Sequence, residues 1–162
     1  MVDVHHTDKL KKSEDKFGFI VINRNGTVFG TLKGNTREVL YKLHVDLRDG
    51  RGREPVLLFS RARMEKRLNH VKKTAELATL LYINPATSQP NVSGLILAGP
   101  DDYYKTALIE SDMFNPLLKA NILGVVDVSK SYVGDYGFNE AIELSSEILS
   151  KAKFTQEKCL SE

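Results

Sequence analysis

The sequence predicts an α/β domain: a mixed β-sheet of about five strands with helices packed on its faces. Three observations predict it. The first third of the chain reads as a β-meander, the middle holds one long helical stretch, and the remainder alternates strand with helix. The chain has 162 residues and a mass of 18.2 kDa. That length suits a single domain over residues 1–162 with a sizeable core. Hydrophobic residues make up 41% and charged residues 27%, a globular balance that excludes a disordered tail, a collagen-like chain and a disulfide scaffold.

Lys16–Arg24 is nearly all apolar, with Phe17, Phe19, Ile20, Val21 and Ile22 falling on both faces. It reads as a strand covered on both sides. Asn25-Gly26 is a strong hairpin signal, since both residues tolerate positive φ. Thr27–Leu32 is then the return strand, and Gly34-Asn35 a second turn. In Glu38–Leu47 the residues Val39, Tyr41, Leu43, Val45 and Leu47 alternate with Leu40, Lys42, His44 and Asp46. That pattern predicts a half-buried third strand. Arg48–Glu54 is a break rich in Arg and Gly, and Pro55 fits the first turn of a helix, where its missing N–H costs nothing. A helix is predicted from Val56 to Ile83. Its core stripe is Leu57, Met64, Leu68, Val71, Ala75, Ala78 and Tyr82. Its first half carries Arg61, Arg63, Lys66 and Arg67 and is expected to project onto solvent or a partner.

Asn84–Asn91 reads as a loop and Gly94–Ala98 as a buried strand. Gly99-Pro100-Asp101-Asp102 ends that strand and caps a helix over Tyr103–Glu110. Asn121–Ser129 is a further strand, and Ser131–Gly137 a loop. Phe138, Ile142, Ser145, Leu149 and Ala152 line one face of a last helix. Both ends read as cut from a longer chain, with 1–15 and 154–162 as flexible ends. The N-terminal segment has no apolar h-region, and no apolar run approaches the ~20 residues of a membrane span. The single cysteine, Cys159, fits a reducing cytosol, where the two Asn-x-Ser/Thr matches at Asn25 and Asn91 are turn residues.

The net charge of +2 hides an asymmetry. From Lys42 to Lys73 ten basic residues stand against four acidic ones, a net +6, which leaves −4 on the rest. Such a patch is the footprint of a polyanion, or else a solvated helix face. Nucleophile elbow, P-loop, dinucleotide fingerprint and Cys/His metal spacing are all missing from the sequence. His5-His6 is adjacent, not at i, i+4 spacing, and His44 and His70 read as surface or groove residues. Asp46, Asp127 and Glu143 are the carboxylates that a metal-dependent nuclease would cluster across the sheet, but their spacing does not demand one. No metal site and no cofactor are therefore expected. What remains is a basic, glycine-containing loop mounted on a basic helix.

Several segments, taken in order, resemble the middle domain of the eukaryotic and archaeal class I polypeptide release factors. They are Lys16–Ile22, Phe29–Leu40, Arg61-Ala62-Arg63-Met64-Glu65-Lys66-Arg67, Gly94–Gly99, Ser111-Asp112-Met113-Phe114 and Gly137–Ser145. The resemblance covers essentially the whole chain. It implies a ribonuclease-H-like topology without the catalytic metal site, with helices on both faces of the sheet. It also implies a place. The full factor mimics tRNA in the ribosomal A site; one flanking domain reads the stop codon and another binds a translational GTPase. The middle domain reaches the peptidyl-transferase centre. The implied partners are the ribosome, through rRNA and P-site peptidyl-tRNA, and that GTPase through the full-length protein; the isolated domain is expected to be a cytoplasmic monomer away from membranes.

The tip of that family domain carries Gly-Gly-Gln. The glycines permit a backbone closed to other residues; the glutamine helps place water at the ester, and its N–H faces the developing oxyanion. Here the loop reads Asp49-Gly50-Arg51-Gly52-Arg53-Glu54-Pro55, with Gly52, Arg53 and Glu54 at the tripeptide positions. Arg53 adds a Cβ where positive φ is wanted, and Glu54 puts a charge among phosphates and lacks the amide donor. Two readings follow: a termination-factor middle domain with an altered tip, or a non-hydrolytic, ribosome-rescue-like paralogue that occupies the A site. Pelota, which uses a basic loop, is the precedent for the second. Arg48, Arg51, Arg61, Arg63, Lys66 and Arg67, together with Arg53, are the expected RNA contacts. The Arg48–Pro55 loop, lacking an apolar anchor, is expected to be mobile off the ribosome.

Overall fold

The computed structural model describes residues 15–45, 56–129 and 135–152. The 46–55 loop, with Arg48, Arg51 and the Gly52-Arg53-Glu54 tip, lies outside these residues, as do His5-His6, Asp46, Cys159 and both chain ends.

Three antiparallel strands open the fold: β1 (Lys16–Asn23), β2 (Gly26–Lys33) and β3 (Thr36–His44). Helix α1 spans Val56–Tyr82 and runs into a small hairpin of β4 (Ile83–Asn84) and β5 (Gln89–Pro90), where a loop was expected. Then follow β6 (Gly94–Gly99), α2 (Asp102–Glu110), α3 (Pro116–Ala120), β7 (Ile122–Asp127) and α4 (Asp135–Leu144), with helical residues continuing over 146–152. The main sheet has the order β3-β2-β1-β6-β7. β6 lies parallel to β1, and β7 parallel to β6. The α/β mixed sheet of five strands is therefore as expected.

Helices cover both faces. On one, Ile20, Ile22, Phe29, Leu95 and Leu97 pack against Val71, Ala75, Ala78 and Tyr82 of α1, with Leu108 and Leu118 from α2 and α3. On the other, Phe17, Phe19, Val21, Ile96 and Ala98 pack against Phe138, Ala141 and Ile142 of α4 and against Leu149. Strands β1 and β6 are buried on both sides, which explains their nearly continuous apolar sequences.

Four local expectations are corrected. The first hairpin turns on Arg24-Asn25 instead of Asn25-Gly26: Asn23 pairs with Gly26, and the Asn23 side chain accepts from the Asn25 N–H at 2.7 Å. In β3, Phe29 pairs with Tyr41 but Gly30 with Val39, so Leu40 bulges out. The alternation breaks there, and Leu40 and Leu43 share the core face while Val39 and Tyr41 are exposed. In α1, Met64 and Leu68 are exposed, and among the described side chains of the helix, from residue 61 on, the buried stripe begins at His70 and Val71; Leu57 lies outside the described side chains. Finally, α3 was missed. Its signal is Asn115-Pro116, an N-cap whose side chain accepts from the Leu117 N–H at 2.8 Å, with proline at the first helical position.

The end of α1 is fastened to the sheet by Tyr82. Its hydroxyl lies 2.9 Å from the Phe19 carbonyl oxygen and 2.7 Å from that of Gly30, and its one proton is shared between β1 and β2. The ring needs the space at Gly18, where a Cβ would come within 2.7 Å of Leu95 Cδ2 and 2.8 Å of Tyr82 Cε1. Tyr82→Phe is expected to lower stability by about 1 kcal/mol, the net value of one hydrogen bond. Gly18→Ala should cost roughly 1–3 kcal/mol through overpacking. Urea unfolding measures both; a Gly18→Ala chain as stable as the parent would contradict this packing.

Candidate nucleic-acid interface

Residues 61–69 of α1 overhang the body. None of residues 61–69 is buried, whereas His70, Val71, Thr74, Ala75, Ala78 and Tyr82 are. The sequence places Arg61, Arg63, Lys66 and Arg67 on this overhang, and the helix begins directly after the 46–55 loop. Arg61 and Arg63 are exposed, and Lys66 and Arg67 are half-buried.

Beneath the overhang lies an open groove of about 400 Å³. Arg63 and Arg67 form its roof, and Arg24 reaches it from the β1–β2 turn. Asp101, Asp102, Tyr103 and Tyr104, from the end of β6 and the start of α2, form the rest. The Arg67 guanidinium sits 5.7 Å from the centre of the Tyr103 ring, and the Tyr103 and Tyr104 rings meet edge to face at 5.0 Å. The structure thus brings Arg63 and Arg67 together in one groove, while Arg61 and Lys66 stand outside its lining.

Arg24, Tyr103 and Tyr104 were missed by sequence reasoning. Arg24 was hidden by reading the turn one residue too late. For the tyrosines the available signal was an aromatic doublet immediately after a strand end, where ligands of α/β sheets gather.

His70 positions the groove. It is buried, and its Nε2 lies 2.8 Å from the Asn23 carbonyl oxygen, one residue before Arg24. Its ring packs 5.5 Å from that of Tyr104. Of the surface or groove positions expected for His70, the surface one is corrected, since the ring is buried against the groove residue Tyr104. Burial holds its pKa below the ordinary 6.5, opposed by hydrogen bonds to backbone, so the neutral ring donates from Nε2 to Asn23. Its Nδ1, and the Tyr104 hydroxyl, are buried with no hydrogen-bond partner among the described residues. Burial likewise raises the Tyr104 phenol above its usual range, with Arg67 acting against it.

A buried lysine sits beside the groove. Lys105 is almost fully buried in α2; its Nζ donates to the Gly99 carbonyl at 3.0 Å, pairs with Asp127 and lies 3.6 Å from Asp102. It ties the end of β6 to the end of β7. Asp127 is therefore engaged by lysine, and Glu143 lies exposed on α4. Among the described residues, no three His, Cys, Asp or Glu side chains gather as a metal site. No helix among them is long and apolar enough to cross a membrane.

Residues 16–151 match the family model for eRF1 domain 2, and the chain belongs to that family. It is similar to the eukaryotic peptide chain release factor subunit 1-1 of Brassica oleracea var. botrytis, with 66% identity over 160 residues, covering 96% of this chain and 36% of the relative. The chain thus spans about a third of the length of the curated relatives it matches. The solved structure of an archaeal translation termination factor, aRF1, shares the fold at a TM-score of 0.66 and 23% identity, covering 99% of this chain and 43% of that one. Dom34 of S. cerevisiae, described as a translation termination-like factor in RNA quality control, shares it more distantly, at a TM-score of 0.55 and 14% identity, over 98% of this chain and 42% of that one. The high identity lies with release factors, which favours the first of the two sequence readings.

His70 provides a test of the groove's floor. The folded ring titrates below its ordinary value, so as pH falls through about 6.5 the unfolded chain takes up the proton first. Stability is full above that pH and declines below it, until the folded ring also titrates. Urea midpoints at about pH 7.5 and about pH 5 should differ less in His70→Gln than in the parent. Equal losses in the two chains would show that His70 is not a source of the acid sensitivity.

Proposed function

We propose that this chain acts as the middle domain of a polypeptide release factor, that its basic helix docks on ribosomal RNA, and that its tip loop is presented toward the peptidyl-tRNA ester. The observation that carries this reading is the overhang of α1: a helix half with no buried residue over 61–69, rich in arginine, that joins the body to the 46–55 loop. Arg61, Arg63, Lys66 and Arg67 supply the phosphate contacts, supported by Arg48 and Arg51 on the loop. The domain works on cytoplasmic ribosomes, without a cofactor, and a translational GTPase engages the other domains of the full-length factor.

The tip departs from Gly-Gly-Gln. At Arg53 the side chain opposes positive φ, and at Glu54 a carboxylate replaces a donor-bearing amide among phosphates. The chain therefore occupies the peptidyl-transferase region while promoting hydrolysis poorly. The alternative, a Glu54 carboxylate acting as general base, predicts the opposite.

The test is peptide release by an otherwise intact release factor carrying this middle domain. Release is expected to be on the order of 100-fold or more below that of a Gly-Gly-Gln factor, the usual cost of losing oxyanion-hole geometry. Arg53→Gly with Glu54→Gln together should restore it, and either alone should not. Fast release by the unaltered graft would mean that the loop positions water in another way. The RNA surface has its own test. Replacing Arg63, Lys66 and Arg67 with alanine should weaken ribosome binding and lower its salt slope by roughly 2 to 3, about one per lost phosphate contact. An unchanged slope would show these residues to be a solvated helix face.

A further inference from the structure

We infer that the groove beneath the overhang of α1 is a binding site for a single unstacked nucleotide of RNA, with the base on Tyr103 and the phosphate on Arg63, Arg67 and Arg24. It rests on the RNA-docking reading above but adds a site with its own residues and its own preference for single strands.

Four observations converge. The groove, about 400 Å³, lies within the ~300–1,000 Å³ range of small-ligand sites. Arginines from two separate elements, α1 and the β1–β2 turn, line it together. Tyr103 keeps 42% of its surface exposed with the Arg67 guanidinium beside its ring, so a base stacking there meets a π-face and a cation at once. The floor residue Tyr104 is 3% exposed, yet its hydroxyl has no partner among the described residues.

Chemistry separates a nucleotide from an acidic peptide. The groove offers arginine for charge and tyrosine for stacking, and only an unpaired base uses both. A duplex buries its bases against one another and presents phosphate alone. Of the two carboxylates at the rim, Asp102 already lies 3.6 Å from the Lys105 ammonium, which lessens its opposition to a phosphate.

The experiment is fluorescence anisotropy of the 162-residue chain with a labelled, short, mixed-sequence single-stranded RNA and with a hairpin duplex of equal charge. Tyr103→Ala is expected to weaken single-strand binding about tenfold, within the range for loss of one stacked base. It should leave the salt slope and duplex binding unchanged, and Tyr103→Phe should bind like the parent. Arg24→Ala should reduce the single-strand salt slope by about one. If Tyr103→Ala binds single strands as the parent does, or loses equally on the duplex, the groove is not a nucleotide site, and the docking reading stands on its own arginine test. If an acidic peptide of equal charge displaces the RNA as well as unlabelled single strand does, the groove is a charge site and the inference fails. If the unaltered chain binds neither RNA, both readings fail together.

Discussion

The whole arrangement depends on one fastening, the Tyr82 side chain driven into the sheet at the end of α1. Its hydroxyl bridges carbonyls of β1 and β2, and its ring occupies space that only glycine at position 18 leaves open. Burial raises the phenol far above its ordinary pKa, so it stays a donor at any relevant pH. Upstream, Ala78 and Ala75 lie flat against the sheet, Thr74 bonds Thr27 at 2.8 Å, and His70 bonds Asn23. Each of these contacts fixes the helix axis. The nine residues before His70 then have no choice of direction: they leave the body as a cantilever.

Fixation at one end and the absence of buried residues over 61–69 at the other are what the proposed presentation of a loop to a distant target needs. The charge distribution agrees. The buried apolar residues Val71, Ala75, Ala78 and Tyr82 lie in the C-terminal half of α1, and Arg61, Arg63 and Arg67 lie before it. The same contacts that set the helix direction also place Arg24 and the Tyr103–Tyr104 pair under the overhang, since His70 joins the β1–β2 turn to α1 and packs on Tyr104. The basic overhang and the groove are thus consequences of one packing solution. The opposite face is held independently by Phe138, which meets Phe19 edge to face at 5.6 Å and fills the space beside Gly30.

Much of this was legible in the sequence, and the failures have physical reasons. The apolar runs of β1 and β6 announced strands covered on both faces, because local composition there reports burial directly. The cantilever was legible as a run of arginines at the start of a long amphipathic pattern. Met64 and Leu68 misled because helical spacing states which face a residue takes and says nothing of whether the body extends that far. Val39 and Leu43 were placed on one face because a strand pattern carries no mark of a bulge; the Leu40 bulge is imposed by pairing with β2. His70 was read as a surface or groove residue because it stands on the basic helix; its burial was not legible, since its neighbour in space is a backbone carbonyl 47 positions away. The groove combines a turn, a helix and a strand end, and no single segment contained it. The Gly52-Arg53-Glu54 tip was legible only by its resemblance to the family tripeptide.

The central claim is that this domain enters the ribosomal site of a release factor and holds it without efficient hydrolysis. Competition tests it most directly. A full-length factor bearing this middle domain is added, at increasing concentration, to stop-codon-programmed ribosomes together with an ordinary Gly-Gly-Gln factor, and the rate of peptide release is followed. The account predicts progressive inhibition that is relieved when Arg63, Lys66 and Arg67 are replaced with alanine. Release that is undiminished at saturating competitor would contradict it, for the domain would then either fail to occupy the site or hydrolyse the ester unaided by the family tripeptide.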